Sequence, residues 1–361
     1  MNYSMLTHFA FLLIGAAVAT AGTPATKDYH VLPPVTKGNL SIFPVVGGPE
    51  YATGQLITLD EGLRTGTVVV AEAGSLRGLM RPGTPMPRHV DGEVNRLVLV
   101  NNSDHPLLLL AGEVVTGGKQ DRVIAVDRIV PPKSGPIDLS VFCVEPGRWV
   151  ASSEHFGSMK AQMAQPSVRM PAMAERDQGN VWNMVALAAG GMARAAPTAA
   201  AAIHGTSSYA KVMEDPEVEK KVGSVASDYD TLLRELRKVG AKGVVVAIDG
   251  RITWADVFAS TDLLEKFWQK LIRSYAADSL IAAGAGGQAD RQSAQLFLDQ
   301  LQGNREVTET EPGLFRRTEI SGAGYKVFTL TSLLSKPEYT VHLAKMSYSG
   351  RMGIYPTSLR R

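Results

Sequence analysis

The feature that most constrains the fold is a change in the spacing of apolar residues along the chain. From Leu40 to Val150, short apolar runs such as TVVVAEA, RLVLVNN and IDLSVFCV alternate with turn signals such as Gly47-Gly48 and Pro131-Pro132. Many short, regularly interrupted strands are typical of an antiparallel sandwich or barrel. After Ser224 the spacing becomes helical and later returns to strands. The sequence therefore predicts an α+β fold. It has an antiparallel β-rich N-terminal half, sandwich or barrel-like, packed with a C-terminal half of helices, a hairpin and returning strands.

Local signals predict individual elements of the C-terminal half. Leucines at helical spacing predict a helix before residue 240. The pair Asp249-Gly250 suits the positive-φ positions of a type I′ turn, so residues 242–254 are predicted to form a hairpin. Ser260 or Thr261 can cap the helix that follows, and a third helix is expected at 290–302. The last strands are predicted in LFRRTEI, YKVFTLT and EYTVHLAKM.

The middle of the chain gives no clean period. Residues 151–180 are rich in Met, Gln, Ser and Pro. An Ala-rich helix could start at Val181, but Gly190-Gly191 and Pro197 interrupt the pattern. We therefore expect an irregular, Ala-rich crossing between the two halves.

The N-terminus predicts export. The run FAFLLIGAAVATAG, which starts at Phe9, suits a secretory signal and is short for a membrane span, and Ala19-Thr20-Ala21 fits a cleavage site. The first basic residue is Lys27, so the usual positive start is missing. The alternative is an uncleaved anchor or an apolar N-terminal segment. We expect a periplasmic or secreted protein without a stable membrane span after signal removal. The predicted organisation is a signal peptide (1–21), a flexible lead-in (22–39), one domain (40–347, comprising the β-rich half 40–150, the crossing 151–225 and the α+β half 226–347) and a tail (348–361).

Charge and motif content exclude several classes of function. Lys and Arg total 37 against 35 Asp and Glu, so a nucleic-acid partner is not expected. The histidines lack metal-ligand spacing, and no pattern calls for a metal or a cofactor. Gly112 to Lys119 fails as a phosphate loop because Gln120 replaces the hydroxyl residue. Cys143, the only cysteine, lies in an apolar run and is predicted to be structural.

Two polar strand ends remain as candidates for chemistry. One contains Gly112-Glu113 and the run GGKQDR at 117–122, and the other is CVEPGRW at 143–149. Arginine offers a planar fork to carboxylate or phosphate, and tryptophan can stack on a base or a sugar. We predict one concave site for a small anionic ligand, with Lys119 and Asp121 facing solvent. Its predicted ligand-binding residues are Glu113, Gln120, Arg122, Glu145, Arg148 and Trp149.

At these residues the chain resembles the ARG and Rhodanese-Phosphatase-superfamily-associated protein domain family. The resemblance rests on the GE pair, the G-x-K-Q-[DN]-R run, the C-V-E-x-G-R-W run and a Q-x-x-V-W stretch at Gln178 to Trp182, and it covers about 36–335. It implies a functional site at the two long motifs. By analogy with the proteins in the family's name, it suggests an ADP-ribose-like or other phosphorylated ligand.

Three functions stay open at this point. The first is binding of a small anionic ligand, and the second is hydrolysis of such a ligand with Glu113 or Glu145 as general base. The third is a structural or interaction scaffold, in which both glutamates pair with Arg122 and Arg148. An unpaired carboxylate beside a water-sized space would favour the enzyme. Arginines beside paired carboxylates would favour the binder, and a filled network would favour the scaffold.

Overall fold

The computed structural model describes residues 28–72, 96–147, 152–153, 155–282, 284 and 287–348. The predicted signal peptide, nearly all of the predicted tail, Arg148 and Trp149 lie outside these residues. Within the described ranges, no helix combines the length and the apolar character that crossing a membrane requires.

The described chain is a mixed α+β fold, as predicted. In chain order the strands are β1 Tyr29–Val31, β2 Val35–Lys37, β3 Leu40–Gly47, β4 Ile57–Thr58, β5 Val68–Glu72, β6 Arg96–Asn101, β7 Leu107–Leu109, β8 Glu113–Thr116, β9 Arg122–Ile124, β10 Arg128–Val130, β11 Ile137–Cys143, β12 Gly157–Met163, β13 Gly243–Ile248, β14 Arg251–Phe258, β15 Arg305–Glu311, β16 Phe315–Gly322, β17 Tyr325–Ser332 and β18 Tyr339–Ser347. The α-helices are α1 Leu59–Arg64, α2 Pro166–Met170, α3 Gln178–Ala195, α4 Ala200–His204, α5 Tyr209–Glu214, α6 Pro216–Ser227, α7 Asp230–Lys238, α8 Thr261–Ile281 and α9 Arg291–Asp299.

Strands β4 to β12 form a barrel-like module. Six of them pair in the order β12-β8-β9-β11-β6-β5. A bridge between Ala71 and His155, with a hydrogen bond from Phe156 N to Val70 O (2.9 Å), joins β5 to the segment just before β12 and nearly closes the sheet. A small sheet, β10-β7-β4, packs against it over an apolar core of residues such as Val70, Leu99, Leu109, Val115 and Val141. We call this unit the N-terminal barrel, and it confirms the predicted barrel-like half.

The remaining strands form one antiparallel sheet of nine. Its main path is β1-β3-β13-β14-β18-β17-β16-β15, and β2 pairs with β3. Strands from both ends of the described chain therefore belong to one sheet, with β13 and β14 between them. The predicted hairpin is confirmed, with Asp249 at φ 52° and Gly250 at φ 73° between β13 and β14. Helix α8 and the barrel pack against one face of this sheet, and α9 packs against the other.

The C-terminal helices also follow the predictions. Helix α7 ends before Gly240, and the Ser260 hydroxyl caps α8 by accepting from Leu263 N (3.1 Å). Helix α9 is shorter than the predicted 290–302. Asp290 caps its start, and it ends at Asp299.

The predicted irregular crossing at 151–225 is wrong for most of its length. This segment holds five of the helices, α2 to α6, and α3 runs through Gly190-Gly191 and stops before Pro197. A Cβ on Gly191 would lie 2.5 Å from the Ile281 Cβ of α8. Glycine therefore lets two helices approach closely, and tertiary packing outweighs its poor helix propensity.

Candidate functional site

The two predicted strand ends lie side by side. Strand β9 pairs with β11, with Arg122 opposite Cys143, and beyond this pair Val144 N donates to Asp121 O (3.0 Å). Asp121 N in turn donates to the Glu145 carboxylate (3.3 Å). Backbone pairing thus brings the QDR run against Glu145, and we call Gln120, Asp121, Arg122 and Glu145 the strand-end cluster. All four residues are buried.

Gly117 and Gly118 allow the turn before this cluster to pack closely. Gly117 has φ 138° and Gly118 has φ 50°. A Cβ on Gly117 would lie 2.7 Å from His155 O, and one on Gly118 would lie 2.3 Å from the Phe156 ring. The glycines are therefore required by contact with the segment before β12.

The amides of this turn are occupied by the protein itself. Gly117 N donates to the Asp121 carboxylate (3.1 Å), and Lys119 N donates to the Glu72 carboxylate (2.7 Å). The turn is therefore clamped by acidic side chains and is not an open nest for an anion.

The predicted solvent-facing pair is half right. The Lys119 side chain is 44% exposed, 3.9 Å from Glu72. Asp121, by contrast, is buried. Its carboxylate accepts from Gly117 N and from the Ser208 hydroxyl (3.1 Å) at the start of α5. The start of α5 therefore contacts a residue that the alternation had assigned to solvent.

Gln120 is the unusual member of the strand-end cluster. Its side chain is fully buried, yet neither Oε1 nor Nε2 has a hydrogen-bond partner among the described residues. The large majority of buried polar side-chain atoms in proteins do have one. Beside it, Arg122 is also fully buried and donates through Nη1 to Asp121 O (3.3 Å).

Glu113 does not join the cluster. Its carboxylate pairs with Lys270 of α8 and accepts from Leu110 N (2.9 Å), and Lys270 also pairs with Asp60. Burial raises the pKa of Glu113, and Lys270 only partly opposes this. The contacts of this carboxylate are with α8 and with Leu110, and a place for Glu113 in a ligand site stays a prediction.

Cys143 is buried, as predicted for a structural thiol, and burial raises its pKa. The Gln178 side chain accepts from Cys143 N and donates to Cys143 O, each at 2.9 Å. Gln178 therefore fastens α3 to the end of β11, which gives the Q-x-x-V-W motif a structural role.

A second buried polar group was missed by sequence reasoning. Asp256 on β14 accepts from both terminal nitrogens of Arg169 (3.2 and 3.3 Å), from the Tyr275 hydroxyl and from His342 Nε2 (3.2 Å). His342 Nδ1 lies 2.6 Å from the carboxylate of Asp127, which follows β9. This group, which we call the core network, joins the barrel to the nine-stranded sheet.

The core network is balanced in charge, with two carboxylates against a guanidinium and an imidazolium. Burial favours neutral His342, but Asp127 and Asp256 outweigh it and raise the histidine pKa to about 9. Burial also favours neutral Asp256, yet Arg169 and His342 hold its pKa well below its usual range. Since imidazole needs a proton on each nitrogen to donate to two carboxylates, His342 is an imidazolium at neutral pH.

Gly112 of the GE motif belongs to this second group. A Cβ there would lie 2.5 Å from Arg169 Nε, and the residue has φ 97°. Glycine therefore makes room for the arginine to reach Asp256. The only sequence signal for the core network was a charged or imidazole residue inside an apolar run, as in VIAVDRIV and EYTVHLAKM.

Asp127 also faces a surface cleft. We call this the Asp127 cleft. Met173 and Phe328 supply apolar wall, and Val307 and Glu309 of β15 lie at its edge. Over the described part of the chain, no three His, Cys, Asp or Glu side chains are placed to hold a metal ion.

Comparison with known proteins adds one finding. The sequence profile of the ARG and Rhodanese-Phosphatase-superfamily-associated Protein domain matches residues 28–346. Searches of curated proteins and of solved structures give no significant match.

Proposed function

This chain belongs to the ARG and Rhodanese-Phosphatase-superfamily-associated Protein domain family, and we propose that it binds a small anionic ligand at its strand-end cluster. The binding residues of this proposal are Gln120, Arg122 and Glu145. The sequence-based prediction adds Arg148 and Trp149, which follow Glu145 closely in the chain and lie outside the described residues.

The observation that carries the proposal is the buried amide of Gln120, which makes no hydrogen bond within the described part of the chain. Leaving a buried donor or acceptor unsatisfied costs about 1–3 kcal/mol. A ligand that accepts from Nε2 and donates to Oε1 would remove that penalty on binding. A hydroxyl or an amide can do both.

Charge specifies the other part of the ligand. Arg122 places a guanidinium in the cluster, and this group matches a carboxylate or phosphate in shape. Asp121 and Glu145 already accept hydrogen bonds from Gly117 N and Asp121 N respectively. Paired carboxylates beside an arginine support a binder of hydroxylated or amide-bearing acids, such as phosphorylated metabolites.

The contacts of the two glutamates do not support hydrolysis. Both oxygens of Glu113 are engaged, one by Lys270 and one by Leu110 N. Glu145 accepts from Asp121 N within the strand-end ladder. The occupied turn amides instead favour the scaffold as the second candidate function.

A thermal-shift screen separates binder from scaffold. The full-length chain would be tested with nucleotides, ADP-ribose, sugar phosphates and inorganic phosphate, since a ligand at 100 times its Kd stabilises the native state by about 2.7 kcal/mol. We expect one class to raise the Tm of the wild type and of Lys119→Ala, a control in the same turn. Gln120→Leu should abolish the shift, and Arg122→Lys should weaken it because the fork is lost.

Two outcomes would count against the binder. If no compound class raises the Tm, the scaffold is favoured. An equal shift in Gln120→Leu and the wild type would place the bound ligand somewhere other than the strand-end cluster.

We also propose that the chain is exported and cleaved near Ala21, on the strength of the apolar run from Phe9 and its small-residue end. N-terminal sequencing of the protein from its native host tests this. An intact Met1 in cytoplasmic protein would contradict it.

A further inference from the structure

The nine-stranded sheet ends at β1 and β2 on one side and at β15 on the other, and the edges of β1 and β15 differ. At β1, the Gln295 side chain of α9 accepts from Val31 N (2.7 Å) and donates to Tyr29 O (3.0 Å). At the opposite end, β15 pairs with β16 on one side, and no described strand pairs with its other side. All seven β15 residues are exposed. One edge is thus covered by the chain itself, and the other offers backbone groups to a further strand.

Strand β15 lacks most devices that protect a sheet edge. Its pairing with β16 runs without a bulge from Arg305 opposite Ser321 to Glu311 opposite Phe315. Its sequence, REVTETE, contains neither Lys nor Pro. The remaining protection is the charge of its side chains. Whether this charge repels an added strand depends on the charges of the residues that face it.

The sequence of β15 complements itself. When two copies run antiparallel about Thr308, Arg305 of each copy lies opposite Glu311 of the other. This register pairs all seven residues and sets no two like charges directly opposite. The other facing pairs are Glu306 with Thr310 and Val307 with Glu309.

Neighbouring arginines reduce the negative charge of this edge. Glu309 pairs with Arg317 of β16, and Glu311 lies 3.8 Å from Arg128. The other two charged residues of β15, Arg305 and Glu306, take no part in these two ion pairs. Two such edges can therefore approach without a large net repulsion.

We propose that β15 pairs with β15 of a second copy of this chain. Backbone hydrogen bonds then join the two nine-stranded sheets about a two-fold axis at Thr308, and two Arg305–Glu311 ion pairs fix the register. In an antiparallel pair this axis is perpendicular to the sheet. Val307 and Glu309 lie at the edge of the Asp127 cleft, so both clefts open on the same side of the joined sheet.

A charge swap tests this interface. Light scattering after size-exclusion chromatography, over a series of concentrations of the full-length chain, should show a mass that rises toward twice that of one chain. Arg305→Glu sets like charges opposite each other at both ends and should weaken association about tenfold or more. Adding Glu311→Arg restores opposite charges and should restore association.

Arg251→Glu, the same change at an exposed site on β14, serves as the control and should leave association unchanged. A single-chain mass at about 0.1 mM would overturn the proposal. So would a dimer that is indifferent to Arg305→Glu, or one that the double swap fails to restore, because either places the contact elsewhere. Each of these readings is independent of ligand binding at Gln120.

Discussion

The core network and the strand-end cluster are both buried and polar, but they differ in how completely their hydrogen bonds are satisfied. Both carboxylates of the core network and both nitrogens of His342 have partners, and only Arg169 Nε is left without one. In the strand-end cluster, the whole Gln120 amide has no partner in the described ranges. Burial of polar groups alone therefore does not mark a binding site. The satisfied network ties two parts of the fold together, whereas the unsatisfied amide is the feature on which the proposed ligand site rests.

Removing Asp256 should give the largest loss of stability. Asp256→Ala leaves Arg169 buried without its carboxylate and takes an acceptor from Tyr275 and His342. We expect the free energy of unfolding, measured by urea denaturation, to fall by about 3–5 kcal/mol. Asp228→Ala, at an exposed position, should change it by about 0.5 kcal/mol at most. A loss below about 1 kcal/mol for Asp256→Ala would contradict a structural role for the core network.

The contribution of His342 should depend on pH. Its folded pKa of about 9 lies above the usual 6.5, so its stabilisation is complete below pH 6.5 and is lost as the pH rises through about 9. The difference in unfolding free energy between wild type and His342→Gln should shrink by about 3 kcal/mol across that window. Burial lowers the pKa of Lys345 to about 7, although Asp299 partly opposes this. The contribution of Lys345 to stability therefore changes with pH in the opposite direction to that of His342. It is present in both the wild type and His342→Gln, so it cancels from the difference between them. A pH-independent difference would show that His342 is not an imidazolium.

Two buried glutamines provide a direct comparison of satisfied and unsatisfied amides. Gln165 Nε2 donates to the Ser167 hydroxyl (3.0 Å) and to the Asp278 carboxylate (2.7 Å). Gln165→Leu should therefore cost about 1–3 kcal/mol in urea denaturation. Gln120→Leu should cost nothing or stabilise the fold by about 1 kcal/mol, since no bond is lost. Equal losses in the two variants would mean that the Gln120 amide is bonded in solution.

The smallest effect is expected at the exposed rim of the strand-end turn. The Lys119–Glu72 pair is 3.9 Å apart and partly solvated. Lys119→Ala should change the free energy of unfolding by less than about 1 kcal/mol, and added salt should reduce the change further. A larger, salt-resistant loss would place Lys119 inside the structural network.

Sequence patterns predicted the elements that depend on local geometry. The type I′ turn at Asp249-Gly250 and the cap at Ser260 require only a few neighbouring residues, and both are confirmed. The helix through Gly190-Gly191 was missed because its glycine penalty is offset by contact with Ile281, about 90 positions further along the chain.

The same distinction applies to the candidate site. The sequence predicted that the two strand ends share one site, but it assigned Asp121 to solvent, whereas Asp121 N donates to the Glu145 carboxylate. The partner of Glu113 is Lys270, which is 157 positions away, and Asp127 meets His342 across 215 positions. One sequence without covariation carries no signal for pairings of that kind.

The position of β3 has a consequence for synthesis of the chain. Its partner β13 begins at Gly243, so about 200 residues must follow β3 before its inner edge can be completed. At about 5–20 residues per second, that delay is on the order of 10–40 s. During it the apolar strand LSIFPVVG leaves the ribosome without β13, its neighbour on the inner side of the final sheet. Newly made chains thus pass through a long interval of exposure in which a holding chaperone would have a strand to bind.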